Sequence, residues 1–310
     1  MPRYLITGGA GFIGSHLAEA LMAGGATVRV LDDLSTGRRE NLPAEVELIV
    51  GDVADPDTTR GAMAGMDGCF HLAAIASVAR AAEDWPGTSR VNLGGTVAVL
   101  DAARERRTPV VYASSAAVYG NSPERPITET APTRPLSAYG ADKLASELHA
   151  SVATEAFGVP TVGLRFFNVF GPRQDPHSPY SGVISIFAAR LRRGLPLDLF
   201  GDGGQTRDFV FVADVVAALR AAMTRLPTGG ALGQPVFNVC SGQATSIRDL
   251  AGTLATIAGV TPRLRERPAR PGDIRHSLGG PDAARAALGL DPPVDLAIGL
   301  AAVWNWLDAP

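Results

Sequence analysis

Lysine is almost absent from this sequence of 310 residues. Of the 28 basic residues, all but Lys143 are arginine. The net charge is −3, and the sequence has no lysine-rich tract or basic stripe. These features argue against nucleic acid as a partner, because proteins that bind nucleic acid usually carry a concentrated positive patch.

Cysteine and long apolar runs are also scarce. Cys69 and Cys240 lie far apart in strand-like apolar segments, which predicts buried thiols in a reducing compartment and argues against a disulfide framework. No run reaches the roughly 18 apolar residues of a membrane span, and no charged leader with an apolar stretch precedes the first strand-like segment. We therefore expect a cytoplasmic protein without a membrane partner. No metal is expected either, because no ligand spacing links the histidines, which are His16, His71, His149, His177 and His276.

Strand-like and helical segments alternate over the first 170 residues. Helical patterns cover Phe12–Ala23, Asn92–Arg106 and Ala138–Phe157. The segments typical of buried strands are Tyr4–Thr7, Thr27–Leu31, Glu47–Val50, Gly68–Leu72, Pro109–Ala113 and Thr161–Phe166. This order predicts an α/β protein with a Rossmann-type, doubly wound parallel sheet covered by helices on both faces.

The pattern changes near residue 170. Beyond it we expect the strands Leu197–Phe200, Asp208–Val212 and Val236–Val239, and the helices Val183–Arg193, Ala213–Thr224 and Ser246–Ala258. The predicted domains are a Rossmann domain over residues 1–169, to which 208–240 return, and a smaller C-terminal substrate-binding lobe of 170–207 and 241–310. Ligands of doubly wound sheets bind at the carboxyl ends of the strands, so we expect the site there.

A glycine-rich turn joins the first predicted strand to the first predicted helix. Gly8, Gly11 and Gly14 have the spacing Gly-x-x-Gly-x-x-Gly. Without side chains the turn closes tightly, a pyrophosphate reaches the backbone, and the helix N-terminus presents free N–H groups to it. An ordinary tight turn would use the same glycines, but the position between a strand and a helix favours a dinucleotide site.

Carboxylates at the ends of the next two strands refine the cofactor prediction. Asp32 is placed to accept hydrogen bonds from the adenosine ribose, which favours NAD over NADP, and Asp33 is the alternative one position away. Arg38 and Arg39 would favour a 2′-phosphate, but they lie beyond the predicted turn. Asp52 ends the third strand, where it would either contact the adenine amino group or cap a helix.

Tyr139 and Lys143 lie four positions apart in a predicted helix, and therefore on one face of it. A cation within about 4–6 Å of a phenol stabilises the phenolate and lowers the phenol pKa, which is ordinarily near 10. Such a tyrosine would exchange a proton with a substrate hydroxyl. The spacing is also common on ordinary helix surfaces, so this interpretation requires a cofactor and a substrate pocket beside the pair.

Eight motifs, in order along nearly the whole chain, together resemble the extended short-chain dehydrogenase/reductase family, and within it the nucleotide-sugar 4-epimerases. They are Thr7–Gly14, His71–Ala74, Asn92, Ser114–Gly120, Tyr139-x-x-x-Lys143, Arg165–Asn168, Arg207–Asp208 and Arg270–Asp273. The resemblance implies an NAD-dependent isomerase that epimerises C4 of a UDP-hexose, UDP-glucose or UDP-galactose, through a transient 4-keto intermediate.

The resemblance also assigns residues to the site. Ser115 would donate a hydrogen bond to the sugar O4, Tyr139 would move the O4 proton, and Lys143 would hold the nicotinamide ribose. Further cofactor contacts would come from Gly8, Gly11, Phe12, Ile13, Gly14, Asp32, Asp33, Ser35, Thr36, Gly37, Asp52, Val53, Leu72, Ala73, Ala74, Asn92 and Phe166. Substrate contacts would come from Ser114, Ser115, Asn168, Gly182, Val183, Phe200, Arg207, Arg270, Asp273 and Ser277.

Within that substrate set, three roles are more specific. Arg207 and Arg270 would pair with the diphosphate, which favours a guanidinium fork. Asp273 would accept from the uridine ribose. Because arginine is abundant in this chain, solvated surface charge is the competing explanation for both guanidinium groups.

The resemblance extends to sister enzymes that eliminate water or carbon dioxide. The 4,6-dehydratases carry Asp-Glu after the catalytic Ser/Thr as acid and base. This chain has Ala116 and Ala117 there, which neither donate nor accept a proton, so epimerisation is favoured. A dehydratase or another NAD-dependent nucleotide-sugar enzyme, and a non-catalytic NAD-binding sensor, are the alternatives.

Two departures from the family pattern leave the hexose open. Ser277 stands where a bulky tyrosine tends to exclude an N-acetyl group, and Gly182 replaces an asparagine that contacts the sugar in some relatives. Both favour a roomier site that would also admit UDP-GlcNAc and UDP-GalNAc. UDP over dTDP follows from the family alone, as does a homodimer formed through Asn92–Arg106 and the helix of Tyr139.

Overall fold

The computed structural model describes residues 1–176, 182–226, 235–270 and 273–307. The strands are β1 Arg3–Thr7, β2 Thr27–Asp32, β3 Glu47–Val50, β4 Gly68–His71, β5 Val110–Ser115, β6 Thr161–Phe166, β7 Asn168–Phe170, β8 Leu197–Phe200, β9 Thr206–Phe211, β10 Val236–Val239, β11 Ala244–Ser246 and β12 Leu264–Arg267. The helices are α1 Phe12–Ala23, α2 Pro56–Met63, α3 Val78–Glu83, α4 Trp85–Ser89, α5 Gly95–Arg104, α6 Ala138–Phe157, α7 Val183–Arg192, α8 Val212–Arg225, α9 Ile247–Ala258, α10 Asp282–Leu288 and α11 Leu296–Trp306.

Seven of these strands form one parallel sheet in the order β3-β2-β1-β4-β5-β6-β10. Helices α1 and α8 pack with one of its faces in a continuous apolar core. Helices α2, α5 and α6 contribute to a second core on the other face. The α/β, doubly wound prediction is therefore confirmed. The chain crosses over from β3 to β4, which pairs with β1, and this reversal of the strand order opens a crevice above the carboxyl ends of β1 and β4.

The chain returns to the sheet later than predicted. The segment predicted as a returning strand overlaps β9, but β9 pairs with β7 and β11 in a separate three-stranded sheet. Its pairing with β7 follows from the short strand Asn168–Phe170, which the sequence analysis does not anticipate. The return to the central sheet is made by α8 and β10. The smaller C-terminal part has its own apolar core, formed by α7, α9 and α11 with β8 and β9, and the predicted domain boundaries remain a prediction.

Helix α6 carries Tyr139 and Lys143 and is capped at both ends. The Ser137 side chain accepts a hydrogen bond from the Gly140 N–H at 3.1 Å, and Gly158 closes the helix in the left-handed conformation with φ 69°. These are favourable N- and C-terminal caps, which is why the helix has the predicted bounds. In contrast, the predicted helix Asn92–Arg106 begins in a π-helical turn, Arg90–Gly94, and continues as α5.

In the described part of the chain, no helix is long and apolar enough to cross a membrane.

Candidate active site

A cavity of about 650 Å3 lies in the crevice above the carboxyl ends of the parallel strands. Its lining includes the glycine-rich turn as well as Tyr139 and Lys143. The predicted cofactor residues that line it are Gly8, Gly11, Phe12, Ile13, Gly14, Asp32, Asp33, Ser35, Thr36, Asp52, Val53, Leu72, Ala73, Ala74, Tyr139, Lys143 and Phe166. The predicted substrate residues that line it are Ser114, Ser115, Asn168 and Gly182.

The glycine-rich turn fits a dinucleotide pyrophosphate. A Cβ at Gly14 would lie 2.3 Å from the Gly8 carbonyl oxygen, and one at Gly8 would lie 2.7 Å from the Ala73 nitrogen. Gly8 also has φ +71°, a conformation that favours glycine. The residue before helix α1, Gly11, provides no side-chain cap, and the first turn of the helix has no acidic residue. Its N-terminus therefore keeps N–H groups and a positive dipole end for an anion.

The carboxylate of Asp32 is fixed at the edge of this turn. Its Oδ2 accepts from Ala10 N at 2.9 Å and its Oδ1 from Leu34 N at 2.9 Å, and burial raises the pKa of Asp32. Gly37 does not line the cavity, but a Cβ there would lie 2.8 Å from Asp32 Oδ1, so the glycine makes room for the carboxylate. Asp33 instead accepts from the Ser35 backbone N–H and hydroxyl, at 2.9 and 2.7 Å.

Asp52 has a partner that the sequence analysis does not anticipate. Its Oδ2 pairs with Arg90 Nη1 at 2.7 Å, and its Oδ1 accepts from Ala54 N at 2.8 Å. The cap of helix α2 is Asp55, whose side chain accepts from the N–H groups of the first turn. The helix-cap alternative for Asp52 is therefore wrong, and its carboxylate stays at the rim of the cavity.

Asn92 does not itself line the cavity, but it supports the loop after β4, which does. It is 1% exposed, and its side chain accepts from Ile75 N at 2.8 Å and donates to Ile75 O at 3.3 Å. This fixes the backbone of Ile75, which lines the cavity directly after Leu72–Ala74. At the start of the same segment, His71 is also buried, with Nδ1 2.7 Å from Thr7 Oγ1 and Nε2 3.1 Å from Thr96 Oγ1.

Ser115, Tyr139 and Lys143 meet in the wall of the cavity. The Ser115 hydroxyl accepts from Ala117 N at 3.1 Å and hydrogen-bonds to the Tyr139 phenol. Lys143 Nζ donates to the Ala113 carbonyl at 2.8 Å and lies 5.8 Å from the centroid of the Tyr139 ring. The two side chains share one face of α6, as the spacing of four predicts.

The pKa values of this pair are set mainly by burial. Burial lowers the pKa of Lys143 to about 8, although Asp142 and Glu147 act in the opposite direction. Burial also raises the pKa of Tyr139, and the hydrogen bond with Ser115 offsets only part of that rise. The sequence analysis expected the lysine to lower the tyrosine pKa. The pKa of Tyr139 instead moves upwards, because burial penalises the phenolate and the lysine does not offset this effect.

The Ser114 hydroxyl, predicted to contact the substrate, instead binds a side chain of the protein. It is 2% exposed, and its hydroxyl donates to Glu147 Oε1. Glu147 in turn forms a buried ion pair with Arg165, with 2.7 Å between Oε2 and Nη2. The sequence analysis did not identify Glu147, and its position four residues after Lys143 on the same helix is the signal that would have pointed to it.

The remaining predicted substrate residues lie in the C-terminal part, outside the lining of this cavity. Arg207 Nη2 pairs with Asp273 Oδ1 at 2.5 Å, and its Nη1 donates to Ile274 O at 2.7 Å. Arg270 places its guanidinium carbon 3.8 Å from the centroid of the Phe200 ring. The structure thus joins these four predicted substrate residues as two pairs, Arg207 with Asp273 and Arg270 with Phe200. The two residues between Arg270 and Asp273 in the family motif lie outside the described residues.

Ser277, Val183 and Gly182 lie on two further segments of the same part of the chain. Ser277 is half-buried, and its N–H donates to Thr206 O at 3.1 Å. Val183 is the first residue of α7, and Gly182 precedes it at the N-terminus of the helix. A Cβ at Gly182 would lie 3.3 Å from the Gln174 side chain, which also lines the cavity.

Both predicted thiols, Cys69 and Cys240, are buried and free. Among the described residues no group of three or more His, Cys, Asp or Glu side chains is arranged to hold a metal ion.

The family model for the NAD dependent epimerase/dehydratase family matches residues 4–240. The chain belongs to this family. It is 42% identical over 308 residues to a UDP-glucose 4-epimerase of Mycolicibacterium smegmatis, with 96% of each chain covered. The family requires NAD, which agrees with the glycine-rich turn and with Asp32.

Two solved structures share the fold over almost the whole chain. A UDP-glucose 4-epimerase of Thermotoga maritima with UDP-glucose has a TM-score of 0.94 at 33% identity, and the alignment covers 99% of this chain and 98% of that one. A UDP-glucose 4-epimerase of Thermus thermophilus in complex with NAD has a TM-score of 0.91 at 38% identity, with 99% of both chains covered.

Proposed function

We propose that this protein is a UDP-glucose 4-epimerase, which interconverts UDP-glucose and UDP-galactose with NAD as a resident cofactor. The observation that carries the proposal is the meeting of Ser115, Tyr139 and Lys143 in the wall of a cavity that the glycine-rich turn also lines. The similarity to UDP-glucose 4-epimerases over nearly the full chain supports the same reaction.

The residues around the cavity fit NAD along its length. The turn at Gly8, Gly11 and Gly14 would hold the pyrophosphate, and Asp32 would accept from the adenosine ribose. Arg38 pairs with Asp175, so it does not need a 2′-phosphate as a partner. When bound, NAD⁺ supplies a hydride acceptor that returns the hydride in the same turnover, and its positive ring would favour a phenolate nearby.

The catalytic residues then act on the proton of the sugar O4 hydroxyl. Tyr139 accepts this proton as the C4 hydrogen leaves and returns it after the 4-keto sugar has turned over. Ser115 donates a hydrogen bond to O4, and its bond to the phenol helps to hold Tyr139 in line. Lys143, fixed by the Ala113 carbonyl, would hold the nicotinamide ribose and keeps a positive charge beside the phenol. Ala116 and Ala117 provide no acid or base for an elimination.

The nucleotide-sugar would extend from Ser115 towards the C-terminal part of the chain. Asn168 would contact the sugar phosphate, and Arg207 and Arg270 the diphosphate. Arg207 would have to share its guanidinium between the diphosphate and Asp273, because the two are already paired. Gly182 and Ser277 have no bulky side chain, which supports turnover of UDP-GlcNAc and UDP-GalNAc as well.

A homodimer in the cytoplasm completes the proposal. Helices α5 and α6 leave Val97, Leu148, Val152 and Phe157 exposed by 40% or more, an apolar surface of the kind that a subunit interface covers. The free thiols of the described chain are consistent with a reducing compartment. A mass measurement in solution that gives a monomer would contradict the dimer.

The reaction is tested with UDP-glucose and a Tyr139→Phe variant. The parent protein with NAD should form UDP-galactose without net NADH, because the hydride is returned in each turnover. Tyr139→Phe should retain NAD and lose about 10²–10⁴-fold in kcat, the usual contribution of a general acid–base. Tyr4→Phe, which changes a phenol on β1, serves as the matched control and should keep full turnover. An inactive parent that still binds NAD would support the sensor instead.

A further inference from the structure

Glu147 lies behind the catalytic residues and is connected to them by its charge and by hydrogen bonds. It follows Lys143 by four residues on α6, and therefore lies one turn further along the same face. Its carboxylate binds Arg165 through two contacts, 2.9 Å between Oε1 and Nε and 2.7 Å between Oε2 and Nη2. Both side chains are only 7% exposed, so water cannot replace either partner.

The catalytic helix is attached to strand β5 at two consecutive residues. Lys143 Nζ donates to the Ala113 carbonyl at 2.8 Å, and the Ser114 hydroxyl donates to Glu147 Oε1. Ser115 is the next residue of the strand. The position of its hydroxyl relative to Lys143 therefore depends on whether Glu147 holds Ser114.

Arg165 extends the connection to the far side of Ser115. Its Nη1 donates to Tyr119 Oη at 2.8 Å, and Tyr119 Oη donates to Asn238 Oδ1 at 2.6 Å. Tyr119 ends the short 3-10 helix that begins directly after Ser115. Arg165 thus anchors the chain after the catalytic serine, while Glu147 anchors the chain before it.

We propose that Glu147 is a positioning residue for the epimerase reaction, which fixes Ser115 and Lys143 relative to each other through Ser114 and Arg165. The proposal rests on the proposed function, because it assigns Glu147 a part in that same reaction. Glu147 touches neither the cavity nor the reacting atoms, so its effect on turnover passes through the residues it holds.

The charge of Glu147 has a second consequence for the ammonium of Lys143. Glu147 and Asp142, both on α6, favour the charged form of Lys143 and raise its pKa against the effect of burial. From the other elements, the buried His71 of β4 is neutral at pH 7, the buried Tyr112 of β5 keeps its proton, and the guanidinium of Arg165 on β6 is paired with Glu147.

Two substitutions at the ion pair should therefore move the pH dependence of kcat in opposite directions. Glu147→Gln leaves Arg165 unbalanced and should lower the pKa of Lys143, so activity is lost at a pH lower by roughly one unit. Arg165→Met leaves the charge of Glu147 without its partner and should raise the pKa of Lys143. The alkaline limb of the profile, where activity is lost, should therefore move to higher pH. A Glu147 whose charge does not act on Lys143 would leave the pH profile of both variants unchanged.

Ser114→Ala tests the positioning role without placing an unpaired charge in the core. It removes the bond to Glu147, and we expect kcat to fall about tenfold to a hundredfold with KM unchanged, the effect of a small misplacement of catalytic groups. The alkaline limb should stay in place because the charge of Glu147 is kept. The matched control is Glu155→Gln, which removes an exposed carboxylate from the same helix and should match the parent in both kcat and pH profile.

The outcomes separate this role from the proposed function. Parent protein that does not convert UDP-glucose to UDP-galactose would refute the epimerase and this role with it. An active parent whose Glu147→Gln and Ser114→Ala variants behave like Glu155→Gln would refute the role of Glu147 alone. If Glu147→Gln does not fold, Ser114→Ala decides: an unchanged kcat overturns the proposal, and a loss of kcat at unchanged KM supports it.

Discussion

Lys143 is expected to cost the protein stability while it serves the reaction, and Lys143→Met measures that cost. Burial lowers the pKa of Lys143 from its ordinary 10.5 to about 8. One pKa unit corresponds to about 1.4 kcal/mol, so at pH 7 the buried ammonium destabilises the folded protein by about 3 kcal/mol relative to a neutral amine. The substitution also removes the hydrogen bond to Ala113 O, which contributes about 1.5–3 kcal/mol for a charged donor.

The net effect at pH 7 should be a folded state that is more stable by about 1 kcal/mol, or an increase in Tm of about 1–2 °C. The sign should change with pH. Between pH 8 and 10.5 the unfolded chain holds the Lys143 proton more tightly than the folded protein does, so the parent gains stability as the pH rises. At pH 10 the advantage of Lys143→Met should be gone, and the lost hydrogen bond should leave the variant slightly less stable.

Thermal unfolding of both cofactor-free proteins at pH 7 and pH 10 measures this difference. Turnover of the variant should be at background at both pH values, because the charge beside Tyr139 is removed. A variant that is less stable than the parent by the same amount at both pH values would refute the reasoning, since Lys143 would then pay no cost of burial in the folded state.

Three further predictions concern the cofactor turn, acid stability and the hexose. Gly14→Ala should abolish NAD binding, because the new Cβ would lie 2.3 Å from Gly8 O, whereas Gly61→Ala, with open space around its Cβ, should bind NAD normally; equal binding by both in a titration would contradict the fit of the turn. Burial lowers the pKa of His71 to about 3, so the unfolded chain binds a proton near pH 6.5 that the folded protein does not bind. The free energy of unfolding should therefore fall by about 1.4 kcal/mol per pH unit from pH 6 downwards. In urea unfolding, His71→Asn should remove that slope, and a slope that persists in the variant would show that other groups cause it. Ser277→Tyr should reduce turnover of UDP-GlcNAc more than turnover of UDP-glucose, and equal rates on the two sugars in the variant and the parent would place Ser277 away from the C2 group.

Local signals were enough to predict much of the fold. Helix α1 follows a glycine-rich turn, and α6 is bounded by Ser137 and Gly158, so both have the bounds that the sequence predicts. The short strand β7 was missed because three residues carry no periodicity, and its partner β9 was consequently assigned to the wrong sheet. Pairing between strands distant in sequence is decided by packing, which a single sequence does not display.

In the site, too, features set by local geometry were predicted and features set by packing were not. The spacing of Tyr139 and Lys143 predicted their common face, since helical geometry fixes it. The direction of the Tyr139 pKa was wrong, because it depends on how deeply the phenol is buried. The pairing of Glu147 with Arg165 was invisible for a similar reason: the two belong to a helix and a strand that meet only in the folded protein.

Product analysis of UDP-glucose incubated with the purified protein and NAD tests the central claim most directly. Proton NMR of the mixture should show UDP-galactose at the epimerisation equilibrium, with no NADH formed and no keto sugar released. A stable 4-keto product would instead show that the site oxidises and eliminates, and would contradict the account of Tyr139 as a residue that returns its proton to the same hydroxyl.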